Sequence, residues 1–207
     1  MKIAIDGPAG SGKSTIAKDI AKRLNIIYVD TGAMYRAITL KLLDKKENEY
    51  EDILKETKIE FKDGNIYLDD VDVSNKIRTN EISKKTSELS KNPMIRKYLV
   101  ALQQDMAKKE SVVMEGRDIA SVVIPDADYK FFLTATPEER AKRRFLQLKE
   151  KDNSLTYEEV LKDLKIRDKN DTSREVSPLT KAEDAIVIDS TDLDYEETIS
   201  KILSYIK

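Results

Sequence analysis

The chain has 207 residues, enough for one substantial core or one core carrying a small insert, and its 37 basic and 39 acidic residues nearly cancel. That balance excludes a global field drawing the protein to nucleic acid or an anionic membrane, so any polyanion must be held by local clusters. Cysteine and histidine are both absent, which removes disulfides, thiolate zinc, thiol nucleophiles and imidazole bases together and leaves chemistry run by cations and positioned carboxylates, as phosphoryl transfer is.

The first element is a short apolar strand, Lys2-Ile3-Ala4-Ile5-Asp6, which runs directly into Gly7-Pro8-Ala9-Gly10-Ser11-Gly12-Lys13-Ser14-Thr15. This is a complete G-x-x-x-x-G-K-S phosphate loop. Its glycines let successive N–H groups turn inward around a β-phosphate, and the following helix offers its positive end to the anion. Lys13 is expected to reach the β- and γ-phosphates and Ser14 to offer a hydroxyl to Mg²⁺, so Gly7 through Thr15 form the expected ATP site. A Gly/Ser-rich turn without a ligand is the bland alternative, and the strand–loop–helix setting argues against it. Asp6 also breaks the apolar stretch before it reaches signal-peptide length, and no run approaches the roughly 20 residues that span a bilayer. A cytoplasmic protein without a membrane or nucleic-acid partner is expected.

Ile16, Ala17, Ile20, Ala21 and Leu24 recur at helical spacing, and Asn25 is placed to end that helix. Ile26-Ile27-Tyr28-Val29 reads as a second buried strand, closed by Asp30-Thr31-Gly32 and followed by a helix with Met34, Ala37, Ile38 and Leu42 on one side. The alternation predicts a parallel sheet covered on both faces by helices. The pattern changes near Glu56: Ile59-Glu60-Phe61, Ile66-Tyr67-Leu68 and Val71-Asp72-Val73, joined at Asp63-Gly64-Asn65 and Asp69-Asp70, predict a small antiparallel meander inserted into the α/β frame.

Helical periodicity resumes at about Asn80 and again at Asn92-Pro93, with Asn as cap and Pro as first helical residue. Val112-Val113-Met114 is the next central strand, Tyr129 to Leu133 another, and Ala185 to Asp189 the last. Thr136-Pro137-Glu138-Glu139 and Thr156-Tyr157-Glu158-Glu159 read as capping boxes opening two charged helices, joined by the polar connector Lys149 to Ser154. Asp194 caps a C-terminal helix.

Three further constellations carry chemistry. Asp30-Thr31-Gly32-Ala33-Met34-Tyr35-Arg36 lies at a strand's carboxyl end, where open parallel sheets bind ligands, and places Arg36 to hold a second phosphate. Glu115-Gly116-Arg117-Asp118 occupies the same edge, with Arg117 and Asp118 offering a cation and an acceptor and Glu115 a candidate to orient Mg²⁺ through water. The arginines of the two charged helices follow: Arg140, Arg143 and Arg144 share a face at i, i+3 and i+4, and Arg167 and Arg174 at i and i+7, with Asp171 between. An arginine brought to a transferring phosphoryl group contributes ~10³–10⁵ in rate, although a solvated charged face is the commoner fate of such residues. A switch GTPase is excluded, because no glycine has Asp three positions before it and Asn75-Lys76 is followed by Ile77-Arg78.

In this order along nearly the whole chain, these segments resemble the bacterial cytidylate kinase family. The resemblance is carried by Ile5 to Thr15, Asp30 to Arg36, Ile77-Arg78-Thr79, Glu115 to Asp118 with Pro125-Asp126-Ala127, Glu139 to Arg144, Arg167-Asp168 with Ser177-Pro178-Leu179, and Asp189-Ser190-Thr191. Thr31 and Glu115 stand where many relatives carry Ser and Asp. It implies an α/β P-loop nucleoside monophosphate kinase fold: a five-stranded parallel sheet flanked by helices, a small antiparallel insert in the monophosphate-binding domain, and a short helical lid. The implied division of the single 1–207 domain is a core of about 1–55 and 86–207, an insert of about 56–85 and a lid of about 145–160.

The implied reaction is transfer of the γ-phosphoryl of ATP to CMP or dCMP with Mg²⁺, by a phosphotransferase with a phosphate acceptor. The family pattern implies Ser87, Arg96 and Asp118 for the cytosine edge, Thr31 and Tyr35 beside the acceptor, and Arg36 and Arg117 for its phosphate. Arg167 and Asp171 come near that phosphate and the ribose, with Arg174 close by. Lys13, Arg36, Arg117, Arg167 and Arg174 form the expected catalytic set, Arg140, Arg143 and Arg144 the lid candidates, and Ser14 with Glu115 the metal donors. Two other readings stay open at this point: a small P-loop kinase with a UMP, AMP, dTMP or alcohol acceptor, and a nucleotide-binding module without turnover. No coiled-coil seam or unpaired apolar helix is evident, so a monomer is expected.

Overall fold

The computed structural model describes residues 1–62, 64–149, 155–173 and 178–207. The central strand β1 (Lys2–Asp6) is buried on both faces, with Ile3, Ala4 and Ile5 fully inaccessible. Their near-continuous apolar run is what a parallel strand covered on both sides needs. Side chains alternate along it: Ile3 and Ile5 pack with Ile16, Ile20, Ile199 and Ile202, whereas Ala4 joins Met34, Ile38 and Leu99 on the other face.

From β1 the chain passes through the phosphate loop into α1 (Lys13–Leu24), then β2 (Ile27–Asp30) and α2 (Thr31–Leu42). Asn25 ends α1 in the left-handed region, φ 53°, its N–H donating to the Ala21 and Lys22 carbonyls. Helix α2 starts at Thr31, earlier than the Asp30-Thr31-Gly32 turn expected from sequence, because the Asp30 carboxylate caps it by accepting from Ala33 N at 2.7 Å.

Helix α3 (Tyr50–Lys55) leads to the insert, β3 (Ile59–Lys62), β4 (Asn65–Leu68) and β5 (Val71–Asp72), which pair antiparallel as a meander. Asp69 and Asp70 form its two-residue turn with φ of 50° and 64°, the double left-handed geometry that matches strand twist. Its inner residues Ile59, Ile66 and Leu68 share the cluster of Met34 and Ile38. Helices α4 (Asn80–Leu89) and α5 (Pro93–Lys109) follow, and Asn92 caps α5 through the amides of Met94 and Ile95.

The remaining strands are β6 (Val112–Gly116), β7 (Tyr129–Thr134) and β8 (Ile186–Asp189), with a single π-type turn at Ile119–Val123 between the first two. The five strands run parallel in the order β2-β6-β1-β7-β8. Helices α6 (Pro137–Lys149) and α7 (Tyr157–Ser173) pack on each other, and α8 (Tyr195–Leu203) closes the chain with a capping box at Asp194 and Glu197. The Thr156 box is reciprocal, with Thr156 N donating to Glu159 Oε2 at 3.0 Å and Glu159 N to Thr156 Oγ1 at 3.3 Å. The Thr136 box is only half formed: Glu139 turns to Arg143, and Thr136 N donates instead to Thr191 Oγ1 at 3.1 Å.

Leu99 is fully buried where α5 meets the sheet's cluster. Leu99→Ala should lower stability by about 2–5 kcal/mol, read in urea unfolding as a lower midpoint at unchanged slope.

Candidate active site

All five strands end at one edge, and their register gathers the site there. Asp6 lies opposite Gly116, and Asp30 opposite Glu115. Gly7 follows at once and tolerates no side chain, since a Cβ there would sit 2.0 Å from the Leu133 carbonyl oxygen. Helix α1 begins after Gly12 with no side-chain cap, leaving its first amides open to an anion.

Lys13 is buried and folds back onto the loop, its Nζ donating to the Pro8 carbonyl at 2.6 Å and to Ser11 Oγ at 3.3 Å. Burial, reinforced by Arg117, pushes its pKa down to about 7, against the pull of Glu115 and Asp6. Ser14 donates to Glu115 Oε1 at 2.6 Å, Tyr28 OH reaches the same oxygen at 3.5 Å, and Thr31 Oγ1 donates to the Glu115 carbonyl at 2.7 Å. Burial and the nearby Asp30 raise the Glu115 carboxyl above the ordinary glutamate value. One hydroxyl and one carboxylate side by side are hard oxygen donors, a set that fits a Mg²⁺ keeping most of its waters.

Around Lys13 the structure gathers arginines from four elements. Arg36 on α2 donates through Nη2 to both Asp30 oxygens at 3.2 and 3.4 Å, while its buried Nε finds no partner among the described residues. Arg117 donates through Nε to Asp171 Oδ2 at 2.6 Å; burial opposes its charge, but Asp171 and Glu115 outweigh burial and raise its pKa. Arg144 on α6 and Arg167 on α7 make no hydrogen bond or ion pair among the described residues. Burial and Arg36 push Arg144 below the ordinary arginine value, and burial, Arg117, Arg144 and Arg36 do the same to Arg167. Guanidinium groups do not release their protons in proteins, so these depressions express burial first and mutual repulsion second, eased at Arg167 by Asp171, and a bound polyanion would offset both.

Beside this cluster Arg96 on α5 donates to Asp118, both buried, and its guanidinium lies 6.0 Å from the Tyr35 ring centroid. Ser87 is half-buried on α4, next to Thr86, which bonds Thr39 of α2 at 3.0 Å.

A family model described as cytidylate kinase matches residues 3–207. The chain belongs to the cytidylate kinase family. It is 50% identical to the cytidylate kinase of Thermosipho melanesiensis over 100% of this chain and 96% of that one. It is 53% identical to that of Caldicellulosiruptor saccharolyticus over 98% and 94%. Among solved structures, the shikimate kinase of Bacteroides thetaiotaomicron shares the fold with a TM-score of 0.52 at 14% identity, covering 99% of this chain and 96% of that one.

Within this cytidylate kinase family member the three lid candidates leave one helix face for three different places. Only Arg144 faces the cation cluster. Arg140 is buried and braces the phosphate loop, donating to the Ala9 carbonyl at 2.8 Å, the Ala135 carbonyl at 2.9 Å and Asp168 through two nitrogens at 2.7 and 3.1 Å. Arg143 donates to Glu139 at 3.1 Å and to Ser190, Oγ at 3.0 Å and carbonyl at 2.6 Å. Arg174, and residues 150–154 of the expected lid, lie outside the described residues.

Sequence reasoning missed Tyr28, which approaches Glu115, and Asp6, which binds the backbone after Asp118. The signal for both was a polar group ending or interrupting an otherwise apolar strand.

At pH 8 the lowered pKa leaves the Lys13 amine largely uncharged, and a triphosphate beside it would favour the charged form. Triphosphate binding at pH 8 should therefore take up close to one proton (about one from Lys13 returning toward its ordinary value), measured as a dependence of calorimetric heat on buffer ionisation. Heats independent of the buffer would contradict the lowered Lys13 pKa.

Proposed function

We propose that this chain phosphorylates CMP and dCMP with ATP, giving CDP or dCDP and ADP, a step of pyrimidine nucleotide metabolism. The observation that carries the reading is the convergence of Lys13, Arg36, Arg117, Arg144 and Arg167 between a complete phosphate loop and the Arg96–Asp118 pair. Family membership over residues 3–207 supports the same acceptor.

Gly7 to Thr15 hold the donor triphosphate, and Lys13 follows its β- and γ-phosphates. Arg36 and Arg117 take the acceptor phosphate, with Arg167, Asp171 and Arg174 near it and the ribose. Ser87, Arg96 and Asp118, flanked by Thr31 and Tyr35, read the base. Cytosine presents an amino donor beside the acceptors N3 and O2, which Asp118 and Arg96 complement; uracil presents the reverse at two of those positions.

An oxygen of the acceptor phosphate attacks the γ-phosphorus in line as the bond to the β–γ bridging oxygen breaks, and ADP leaves. That oxygen is already anionic near pH 7, so no strong base is required, in keeping with a chain that has no histidine. The arginines neutralise charge spread over the equatorial oxygens. Ser14 and Glu115 would hold Mg²⁺, which when bound would supply neutralisation of the donor phosphates.

The proposed organisation is a core of about 1–55 and 86–207, a monophosphate-binding insert of about 56–85 and a lid of about 145–160 that excludes water. We propose a monomer working in the cytoplasm; no described helix is long and apolar enough to cross a membrane.

ADP release measured with Mg-ATP and a panel of monophosphates tests the reading. CMP and dCMP should be the best acceptors; UMP, AMP or dTMP outperforming them would overturn it. Lys13→Ala should cost at least ~10² in kcat while the protein stays folded, and Asp118→Ala should reduce the preference for CMP over UMP by about tenfold or more.

A further inference from the structure

Asp6 is 2% exposed at the end of β1, immediately before the phosphate loop. Its carboxylate reaches sideways. Oδ1 accepts from Ile119 N at 2.9 Å and Oδ2 from Ala120 N at 2.8 Å. Those amides open the π-type turn that follows Arg117 and Asp118, so the residue preceding the donor loop grips the backbone that carries the acceptor-facing pair.

The turn is also held from its other sides, by burial of Ile119, Ala120 and Val123 in the main apolar cluster, by the Val122 and Val123 amides donating to the Asp118 carbonyl, and by the Arg96–Asp118 pair. Asp6 is the contact that ties it to the strand entering the phosphate loop. Gly116 precedes the turn, and a Cβ there would come within 2.7 Å of Ile119 Cδ1 and Thr31 Oγ1, so those side chains would have to shift to admit one. Asp118 has φ −145° and ψ 28°, outside helix and strand, and makes no side-chain cap to the turn.

We propose that Asp6 is a positioning residue that locks the Arg117–Asp118 turn to the phosphate loop, so that donor and acceptor phosphates are held in one frame. It extends the assignment of Arg117 and Asp118 to the acceptor and rests on that reading. A carboxylate suits the task because both its oxygens only accept. The isosteric amide keeps one acceptor and turns its NH₂ against the second N–H, breaking half the clamp and adding a donor–donor clash.

The charged groups facing Asp6 are Lys13 from α1 and Arg117 and Asp118 from the segment after β6. Burial raises the Asp6 carboxyl to about 6; the Ala120 and Ile119 amides oppose that rise, Asp118 adds to it and Lys13 opposes it. For an acid the sign is plain: the two-acceptor form holds above about pH 6 and is lost as pH falls through it.

Asp6→Asn in the full chain should lower kcat/KM for CMP by about tenfold or more, chiefly through a weaker CMP Kd, because a misplaced acceptor forfeits orientation. The Kd for ATP without acceptor should change several-fold less than the Kd for CMP, since no hydrogen bond to the loop is removed and only the pull of the Asp6 charge on Lys13 is lost. A folded variant with kcat/KM for CMP within twofold of the parent overturns the proposal. So does equal loss of ATP and CMP binding, which would make Asp6 a general support of the loop.

Amide exchange of the unmodified protein decides the matter should the variant not fold. Protection of Ile119 and Ala120, corrected for intrinsic exchange, should drop about tenfold between pH 7 and pH 5 while Met114 and Glu115 in β6 hold theirs. Unchanged protection refutes the clamp. If the unmodified protein prefers another monophosphate, the assigned substrate fails, and the exchange measurement still judges the clamp.

Discussion

Parallel strands deliver their carboxyl ends to a single edge, and the pairing of β1 with β6 sets what arrives there. With Asp6 opposite Gly116, the phosphate loop and the Glu115-Gly116-Arg117-Asp118 segment leave the sheet side by side. The pairing of β2 with β6 brings Asp30 level with Glu115, and α2 starts from that point with Arg36 one turn and a half along. A slip of one residue would invert Ile3, Ala4 and Ile5 between the two apolar clusters, so packing on both faces enforces the register. The chemistry is positioned by hydrophobic burial well away from any phosphate.

At that edge the balance of charge is deliberately uneven. Asp30, Glu115 and Asp171 partly answer Lys13, Arg36, Arg117 and Arg167, whereas Arg144 makes no ion pair among the described residues. Holding such groups together opposes folding, and the buried Nε of Arg36 adds an unsatisfied donor. Under the proposed assignment these cations answer the charge of the phosphates, the electrostatic stabilisation on which phosphoryl transfer draws.

Much of this was legible along the chain because the local signals are strong and agree. The phosphate loop, the Asn25 and Asn92 caps, the meander and the parallel alternation each follow from a short motif or a clear period. Ser87 and Arg96 carry no such motif; Arg96 meets Asp118 across 22 positions, and only the resemblance pointed to it. The Arg140 group shows the limit of helical spacing. Residues at i, i+3 and i+4 share a face, yet that face is wide enough for one side chain to enter the protein and another to reach a neighbouring loop. At Thr136 the box sequence is present, but Arg143 and Thr191 compete for the same groups and win.

The Arg140 brace joins α6, the phosphate loop and α7 through the Ala9 carbonyl and Asp168. Arg167 is the residue beside Asp168, so the helix that carries the proposed acceptor-side cation is tethered to the backbone of the phosphate loop. Any shift of α7 changes the seat of the donor, and any change at that seat is felt by α7. Where binding of one nucleotide shifts α7, thermodynamic reciprocity makes the two nucleotides change each other's affinity by the same factor. The brace is thus a route for cooperativity between two ligands inside one small domain.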